Sequence, residues 1–477
     1  MTKLLDAMQT NDTFTKNGMP TNSTTLNHCV DLFFHIGVMR SNEKQYKINA
    51  FVKAFSEDPL TAMKILFWVR DIRGGAGERQ TFRDIMGYLA EKQVKILKKN
   101  MVLISEYGRW DDLLIFIGTK VEKTALGLIA GALKAENGLA SKWLPRPCVK
   151  GSIKKMQVNV LRKYLGLSPK EYRQLLVSLS NTVEQAMCSG DWTNIDYSHV
   201  PSKAMSGYMK SFRKHDEDGF SKYMESLEKG ETKINAGAVY PYDIIKSLKE
   251  GNVDGADAQW NALPNYLVNN SERVLPVVDT SGSMNCLAGK DMSVTCMDVA
   301  VSLGLYISER NIGPFKDAFI TFSELPKLQV LKGSLSDRFN QLSRCGWGYN
   351  TNLQKVFEVL LKKAKAGNVS EDEMPTIVMV LSDMQFDCGT NNSWGDNAQA
   401  MVEREYSEAG YKVPKIIYWS LQSTNSDSPV QAHKSGAACV SGFSGSLLTN
   451  ILSGGVITPF TIMMDVVNSE RYSKVQI

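Results

Sequence analysis

Five oxygen-bearing side chains stand at spacings that suit a hard divalent cation. Asp279, Ser281 and Ser283 alternate within Val-Val-Asp-Thr-Ser-Gly-Ser-Met, residues 277–284. A carboxylate and two hydroxyls therefore fall on one side of a single turn. Thr351 follows in a second loop, Gly-Trp-Gly-Tyr-Asn-Thr-Asn-Leu, residues 346–353, and Asp383 closes Thr-Ile-Val-Met-Val-Leu-Ser-Asp, residues 376–383. An all-oxygen donor set of this kind suits Mg²⁺ or Mn²⁺ rather than zinc or copper. The competing reading assigns Ser281 or Ser283 to a helix N-cap and Asp383 to a strand-end turn.

The segments around these residues have the pattern needed to position them. Val274, Leu275, Val277 and Val278 make a β-branched run that empties into the Asp279 loop. Strands are expected at Arg273–Thr280, Ala318–Ser323, Leu328–Leu331, Thr376–Asp383, Lys415–Ser420 and Ala438–Phe443. Between and after them, helices are expected at Thr295–Glu309, Ser336–Arg344, Asn352–Ala366, Ala398–Ala409 and Gly445–Leu452. Such alternation predicts a doubly wound, Rossmann-like α/β domain over residues 271–477, with a parallel sheet covered on both faces. Ligands of these sheets sit at the carboxyl ends of strands, where Asp279 and Asp383 fall.

The preceding half reads differently. After a flexible N-terminus at 1–24, residues 25–260 carry helical periodicity broken by short connectors such as Asp58-Pro59, Arg73-Gly74-Gly75 and Leu167-Ser168-Pro169. Many short helices with short links predict an all-α, HEAT-like stack of helix pairs. Gly251–Ala258 is the expected linker, and Trp260–Leu267 an expected docking helix.

Charge separates the halves further. The chain of 477 residues has a net charge of +5, but residues 1–270 hold 37 basic against 29 acidic side chains, and the remainder 18 against 21. Residues 142–173 alone carry nine basic side chains and one acid, Glu171. Such a density calls for an anionic partner, and nucleic-acid phosphate is the usual one. The alternative is a solvated helix face. Candidate contacts are Arg73 and Arg79 around a glycine-rich turn, Arg109 at a helix start, Lys142 and Arg146 around Trp143, and Lys150, Lys154, Lys155, Arg162 and Lys163. Aromatics among cations suit single-stranded nucleic acid.

Other classes are disfavoured. Five histidines, no Gly-x-Ser-x-Gly elbow and no Gly-x-x-x-x-Gly-Lys-[Ser/Thr] loop argue against a hydrolase triad and a P-loop ATPase. Asp279 and Asp383 on one cation could assist phosphoryl hydrolysis, yet the expectation is a protein that is not an enzyme. Eight scattered cysteines without a Cys-x-x-Cys pair point to free thiols, no zinc site and a reducing cytoplasm. The start lacks the apolar core of a signal peptide, and no apolar run approaches a membrane span. A cytoplasmic location is expected (the host cytoplasm if phage-encoded), with no membrane partner.

The Asp-x-Ser-x-Ser turn, with Thr351 and Asp383, resembles the metal-ion-dependent adhesion site of von Willebrand factor A domains. That resemblance implies that Ser281, Ser283 and Thr351 touch Mg²⁺ while Asp279 and Asp383 hold its waters, and that a partner's carboxylate fills the open position. A helical-repeat domain followed by such a domain resembles the TROVE-module proteins, founded on the Ro autoantigen. The chain resembles more closely a von Willebrand factor A family of unknown function found in plants, bacteria and phages. The strings that carry this likeness include Asp58–Lys64, Arg73–Arg79, Gly108–Leu113, Lys142–Pro145, Lys233–Ile244, Leu381–Asp387 and Val440–Leu448. In Ro the helical domain closes into a ring that takes single-stranded RNA ends and binds structured small RNA on its rim. Two functions are thereby implied. One is an RNA-binding ribonucleoprotein scaffold. The other is an adaptor whose cation grips an acidic protein partner, such as a MoxR-type AAA+ ATPase.

Overall fold

The computed structural model describes residues 11–477 except 148–149, 230, 233–238, 252, 269–270, 290–292, 323–325, 344–350, 389–395, 423–426, 446 and 453–455. The expected ends at Ser323 and Arg344, the loop residues 346–350, and the first part of the Lys233–Ile244 string therefore lie outside the described residues. The chain forms two compact units. One comprises residues up to 43, 52–58 and 236–469; the other comprises 44–51, 59–235 and 470–477.

A short hairpin, β1 (Thr13–Phe14) and β2 (Pro20–Thr21), leads into α1 (His28–Ile36). The helical series runs α2 (Lys44–Glu57), α3 (Pro59–Arg70), α4 (Gln80–Lys92), α5 (Val94–Asn100), α6 (Ile104–Tyr107), α7 (Glu122–Lys134) and α8 (Gly138–Trp143). It continues through α9 (Ser152–Tyr164), α10 (Pro169–Leu179), α11 (Val183–Ser189), α12 (Ser202–His215) and α13 (Glu217–Glu228). Among the described residues this series contains no strand. Local chemistry sets its boundaries. Ser168 and Glu171 form a capping box at the start of α10, with Pro169 in the first turn, where its missing N–H has no helical partner to lose. The last eight residues belong to the same unit. Arg471 Nη2 pairs with Asp71 Oδ1 at 2.7 Å, and Tyr472 is buried with its hydroxyl on Asp71.

The sheet unit continues with α14 (Pro241–Lys249), α15 (Val253–Asn261), β3 (Val274–Asp279), α16 (Cys296–Arg310), β4 (Ala318–Phe322) and β5 (Lys327–Val330). Next come α17 (Leu335–Ser343), α18 (Leu353–Ala366), β6 (Ile377–Ser382), α19 (Ala398–Ala409), β7 (Lys415–Ser420), β8 (Ala437–Ser441), α20 (Leu447–Ile451) and α21 (Pro459–Val467). The six-stranded sheet has the order β5-β4-β3-β6-β7-β8. Every residue of β3 and β6 is buried, as strands covered on both faces require. Helix α16 starts on a Thr295/Asp298 capping box and lies against β3. Gly304 permits that approach, because a Cβ there would stand 2.5 Å from Val278 Cγ2.

Three expectations need correction. The sheet is mixed: β5 pairs antiparallel to β4, because residues 323–326 are too few for the roughly dozen-residue crossover of a parallel pair. The division at 1–24, 25–260 and 271–477 does not match the compact units. Residues 11–24 hold the hairpin, with Thr21 and Asn22 bonded to the Ser428 carbonyl, so this stretch is ordered by side-chain hydrogen bonds that leave no apolar periodicity to read. Helix α1, with Val30, Leu32, Phe33 and Phe34 buried, packs on β8, and α14 packs on α16. Finally, the expected linker Gly251–Ala258 falls largely within α15. Trp260 anchors that helix, its ring against Tyr306 and its Nε1 donating to Glu309 at 2.5 Å. No helix among the described residues is long and apolar enough to cross a membrane.

Candidate cation site and basic surface

Register brings the two carboxylate strands together. Val278 pairs with Leu381 across β3 and β6, so Asp279 and Ser382 end the strands side by side. Ser382 Oγ donates to Asp279 Oδ2 at 2.5 Å, and the Ser281 backbone N–H donates to Asp279 Oδ1 at 2.9 Å. Ser281 Oγ lies 3.0 Å from Ser283 Oγ, and the Ser283 hydroxyl in turn bonds Asp383. Past Asp383 the chain turns at Met384, whose φ of 64° is rare for a side chain that is not glycine. That turn lets the Gln385 N–H reach back to Asp383 Oδ1 at 3.2 Å.

The group is polar and mostly buried. Asp279, Ser281, Thr351 and Asp383 are buried, whereas Ser283 is exposed and marks the open side. Burial, then the neighbouring Asp383 charge, pushes the Asp279 carboxyl up to about 7, against the Ser382 and Ser281 hydrogen bonds. Burial likewise raises Asp383, opposed by the Ser283 hydroxyl, the Gln385 N–H and the more distant Lys16 charge. Two buried carboxylates without an ion-paired side chain among the described residues are costly as anions.

Thr351 joins this group indirectly. Its N–H and hydroxyl both donate to Asp387, at 3.0 and 2.9 Å, and Asp387 N–H returns to the Thr351 carbonyl at 3.1 Å. Asn17 Nδ2 donates to Thr351 Oγ1 at 2.8 Å and to the Gln385 carbonyl at 2.7 Å. The link from Thr351 to Asp383 thus runs through Asn17 and the Gln385 backbone.

In the helical unit a second cluster forms around Asp112, which is wholly buried. Arg70 Nη2 reaches it at 2.7 Å and Arg83 Nε at 2.6 Å, while Arg109 and Arg83 share Asp111. The Arg109 guanidinium lies 3.9 Å from the centroid of the Trp143 ring, and Lys142 Nζ 5.7 Å from it. Arg79 is held below the usual guanidinium range by burial and by the nearby charges of Arg83 and Arg109. Of the sequence-derived contacts, Arg109 and Lys142 therefore gather at Trp143, and Arg79 lies within reach of the Arg109 charge. Arg146 bonds Ser180 Oγ at 3.1 Å, and Arg162 bonds Asn159 on its own helix. Lys150, Lys154, Lys155 and Lys163 are exposed and make no ion pair with the described residues. Arg73 is exposed on the glycine turn, its own N–H bonded to Asp71, and no contact joins its side chain to the Trp143 group.

A family model described as Domain of unknown function (DUF2828) matches residues 15–140 and 129–272. The chain belongs to the DUF2828 family. A second model, Domain of unknown function (DUF7788), matches residues 273–475. "Uncharacterized protein L728" of Acanthamoeba polyphaga mimivirus is 29% identical over 514 residues, spanning 96% of this chain and 87% of that one. The crystal structure of the Deinococcus radiodurans RO (RSR) protein aligns over 91% of this chain and 93% of that chain, at 11% identity and a TM-score of 0.36. That score is too low to support a fold assignment.

Sequence reasoning missed several residues of this DUF2828 protein's sheet-unit site. Ser382 and Asp387 lie in Leu381–Asp387, where a second acid four positions after Asp383 is the signal that points to Asp387. Asn17 gave none. Hard oxygens, two buried carboxylates and an exposed hydroxyl at the mouth fit a small divalent cation. Asp279, Ser281, Ser283, Thr351 and Asp383 are the side chains that would hold it.

Proposed function

We propose that this protein is a non-catalytic RNA-binding scaffold. Its helical unit takes RNA phosphates on the basic surface of residues 142–163 with Arg79 and Arg109, and its sheet unit carries Mg²⁺ or Mn²⁺ as a structural or partner-binding centre of the von Willebrand factor A kind. The observation that carries the reading is the set of exposed lysines without ion pairs, Lys150, Lys154, Lys155 and Lys163, in the same segment as half-exposed Trp143. Cations left unpaired by the protein repel one another and gain most from an external polyanion. Each phosphate contact on a single strand contributes a log–log salt slope of roughly −0.7, so five contacts give about −3.5. Changing Lys154, Lys155, Arg162 and Lys163 together to Glu should abolish retention of single-stranded RNA at unchanged denaturation midpoint, and Asp279→Ala should leave retention intact. RNA binding that survives the charge reversal would overturn the reading.

The carboxylate pair open at Ser283 favours a second reading, an adaptor that grips an acidic protein partner through the cation. When bound, the cation would supply an open coordination position for that partner's carboxylate. Capture of RNA that survives EDTA supports the scaffold; Mg²⁺-dependent capture of an AAA+ partner supports the adaptor.

A further inference from the structure

The hairpin of residues 13–21 crosses the loop that follows Asp383 and is bonded to it along its length. Thr15 Oγ1 donates to the Phe386 carbonyl at 2.7 Å, the Lys16 N–H to Gln385 Oε1 at 2.8 Å, and the Cys388 N–H to the Asn17 carbonyl at 3.2 Å. Gly18 bridges to Asp387, and Met19 anchors the hairpin in the hydrophobic core beneath. At its tip Asn17 holds both Thr351 and the Gln385 backbone.

The valences of the Thr351 hydroxyl decide what this contact does. A hydroxyl has one hydrogen and two lone pairs. The hydrogen goes to Asp387 Oδ1 and one lone pair takes the Asn17 N–H, which leaves one lone pair for a further partner. With two directions fixed, the third is fixed as well. We propose that Asn17 is a positioning residue of the cation site and that residues 13–21 form a strap, so that strap closure and cation binding support each other. This rests on the cation reading above. Linkage makes the effect reciprocal: whatever factor the strap adds to cation affinity, the cation adds to strap closure.

The experiment titrates the full-length protein and its Asn17→Ala variant with Mg²⁺ by calorimetry, and follows amide hydrogen exchange of residues 15–19 in the unmutated protein with Mg²⁺ and with EDTA. Asn17→Ala removes both Nδ2 hydrogen bonds; the one to Thr351 bears on the cation site, and its loss corresponds to about a fivefold weaker affinity. The unmutated protein's 15–19 amides should exchange about fivefold more slowly with Mg²⁺. Denaturation in EDTA should show the variant folded at the titration temperature, its midpoint lowered only by the two lost hydrogen bonds, which separates positioning from unfolding. Equal affinities with equal exchange would overturn the strap and leave the cation site standing. No Mg²⁺ binding by the unmutated protein would overturn both. Should Asn17→Ala not fold, the exchange measurement decides alone.

Discussion

Asp112 and Asp279 are equally buried and are treated in opposite ways. Asp112 sits between Arg70 and Arg83, with the Arg109 N–H on the oxygen that Arg70 holds, so its charge is matched within the helical unit. Asp279 has the Ser382 and Ser281 hydroxyls and one backbone N–H, and its neighbour is another carboxylate. The first arrangement is complete as it stands and serves the fold. The second leaves two buried carboxylates side by side with no ion-paired side chain among the described residues, and the cation reading proposed above rests on that arrangement. Buried charge alone therefore says little; the sign and number of its partners say whether it belongs to structure or to function.

The comparison breaks most visibly by mutation. Asp112→Ala leaves Arg70 buried and unmatched, and should cost roughly 3–5 kcal/mol in urea denaturation. Asp279→Asn removes a charge that the fold does not neutralise. In EDTA it should be neutral or stabilising, while Mg²⁺ binding by calorimetry disappears. Equal losses from both substitutions would show the two carboxylates to be alike.

Acid–base behaviour gives a somewhat smaller effect. The Asp279 carboxyl titrates near 7 when folded and in the ordinary range, about 3.8, when unfolded. A raised folded value means that the folded state keeps its proton while the unfolded state has lost it. The stabilisation is complete below about pH 4 and is lost as pH rises towards 7. In EDTA, this should remove on the order of 3 kcal/mol between those limits, as read from denaturation midpoints. Mg²⁺ should flatten the decline, since the cation replaces the proton. A midpoint that rises over this window in EDTA would contradict the assignment.

The same contrast explains what the sequence could show. Asp279, Ser281 and Ser283 lie within one turn, and Asp383 ends a run whose apolar residues announce a buried strand, so their placement at the carboxyl ends of two strands followed from local pattern, whereas the pairing of those strands did not. The arginine cluster was half visible. Arg109 stands beside Asp111 in the chain, but Arg70 and Arg83 reach Asp112 from other helices, and nothing local distinguishes them from solvated cations. The affiliation of α1 and the hairpin with the sheet unit was hidden for a related reason. Phe34 buries itself in a core it shares with Ala437 and Cys439 of β8, some four hundred positions later in the chain, and amphipathic periodicity tells that a face is covered without telling by what.

The finest distinction within the sheet unit is between Asn17 and its neighbour Lys16. Asn17 acts through a directed hydrogen bond. Lys16 is exposed and reaches Asp383 only through its field, which favours the ionised carboxylate. That field also repels an incoming cation. Lys16→Met should accordingly tighten Mg²⁺ binding, opposite in sign to Asn17→Ala. Across partly solvated space a single charge contributes a few tenths of a kcal/mol, or about twofold in affinity at low salt. Raising the salt to about 0.5 M shortens the screening length to a few ångströms, and the difference between Lys16→Met and the unmutated protein should vanish. The Asn17→Ala loss, being a contact effect, should persist at the same salt. Weaker binding in Lys16→Met would mean that the packing of this side chain in the strap matters more than its charge.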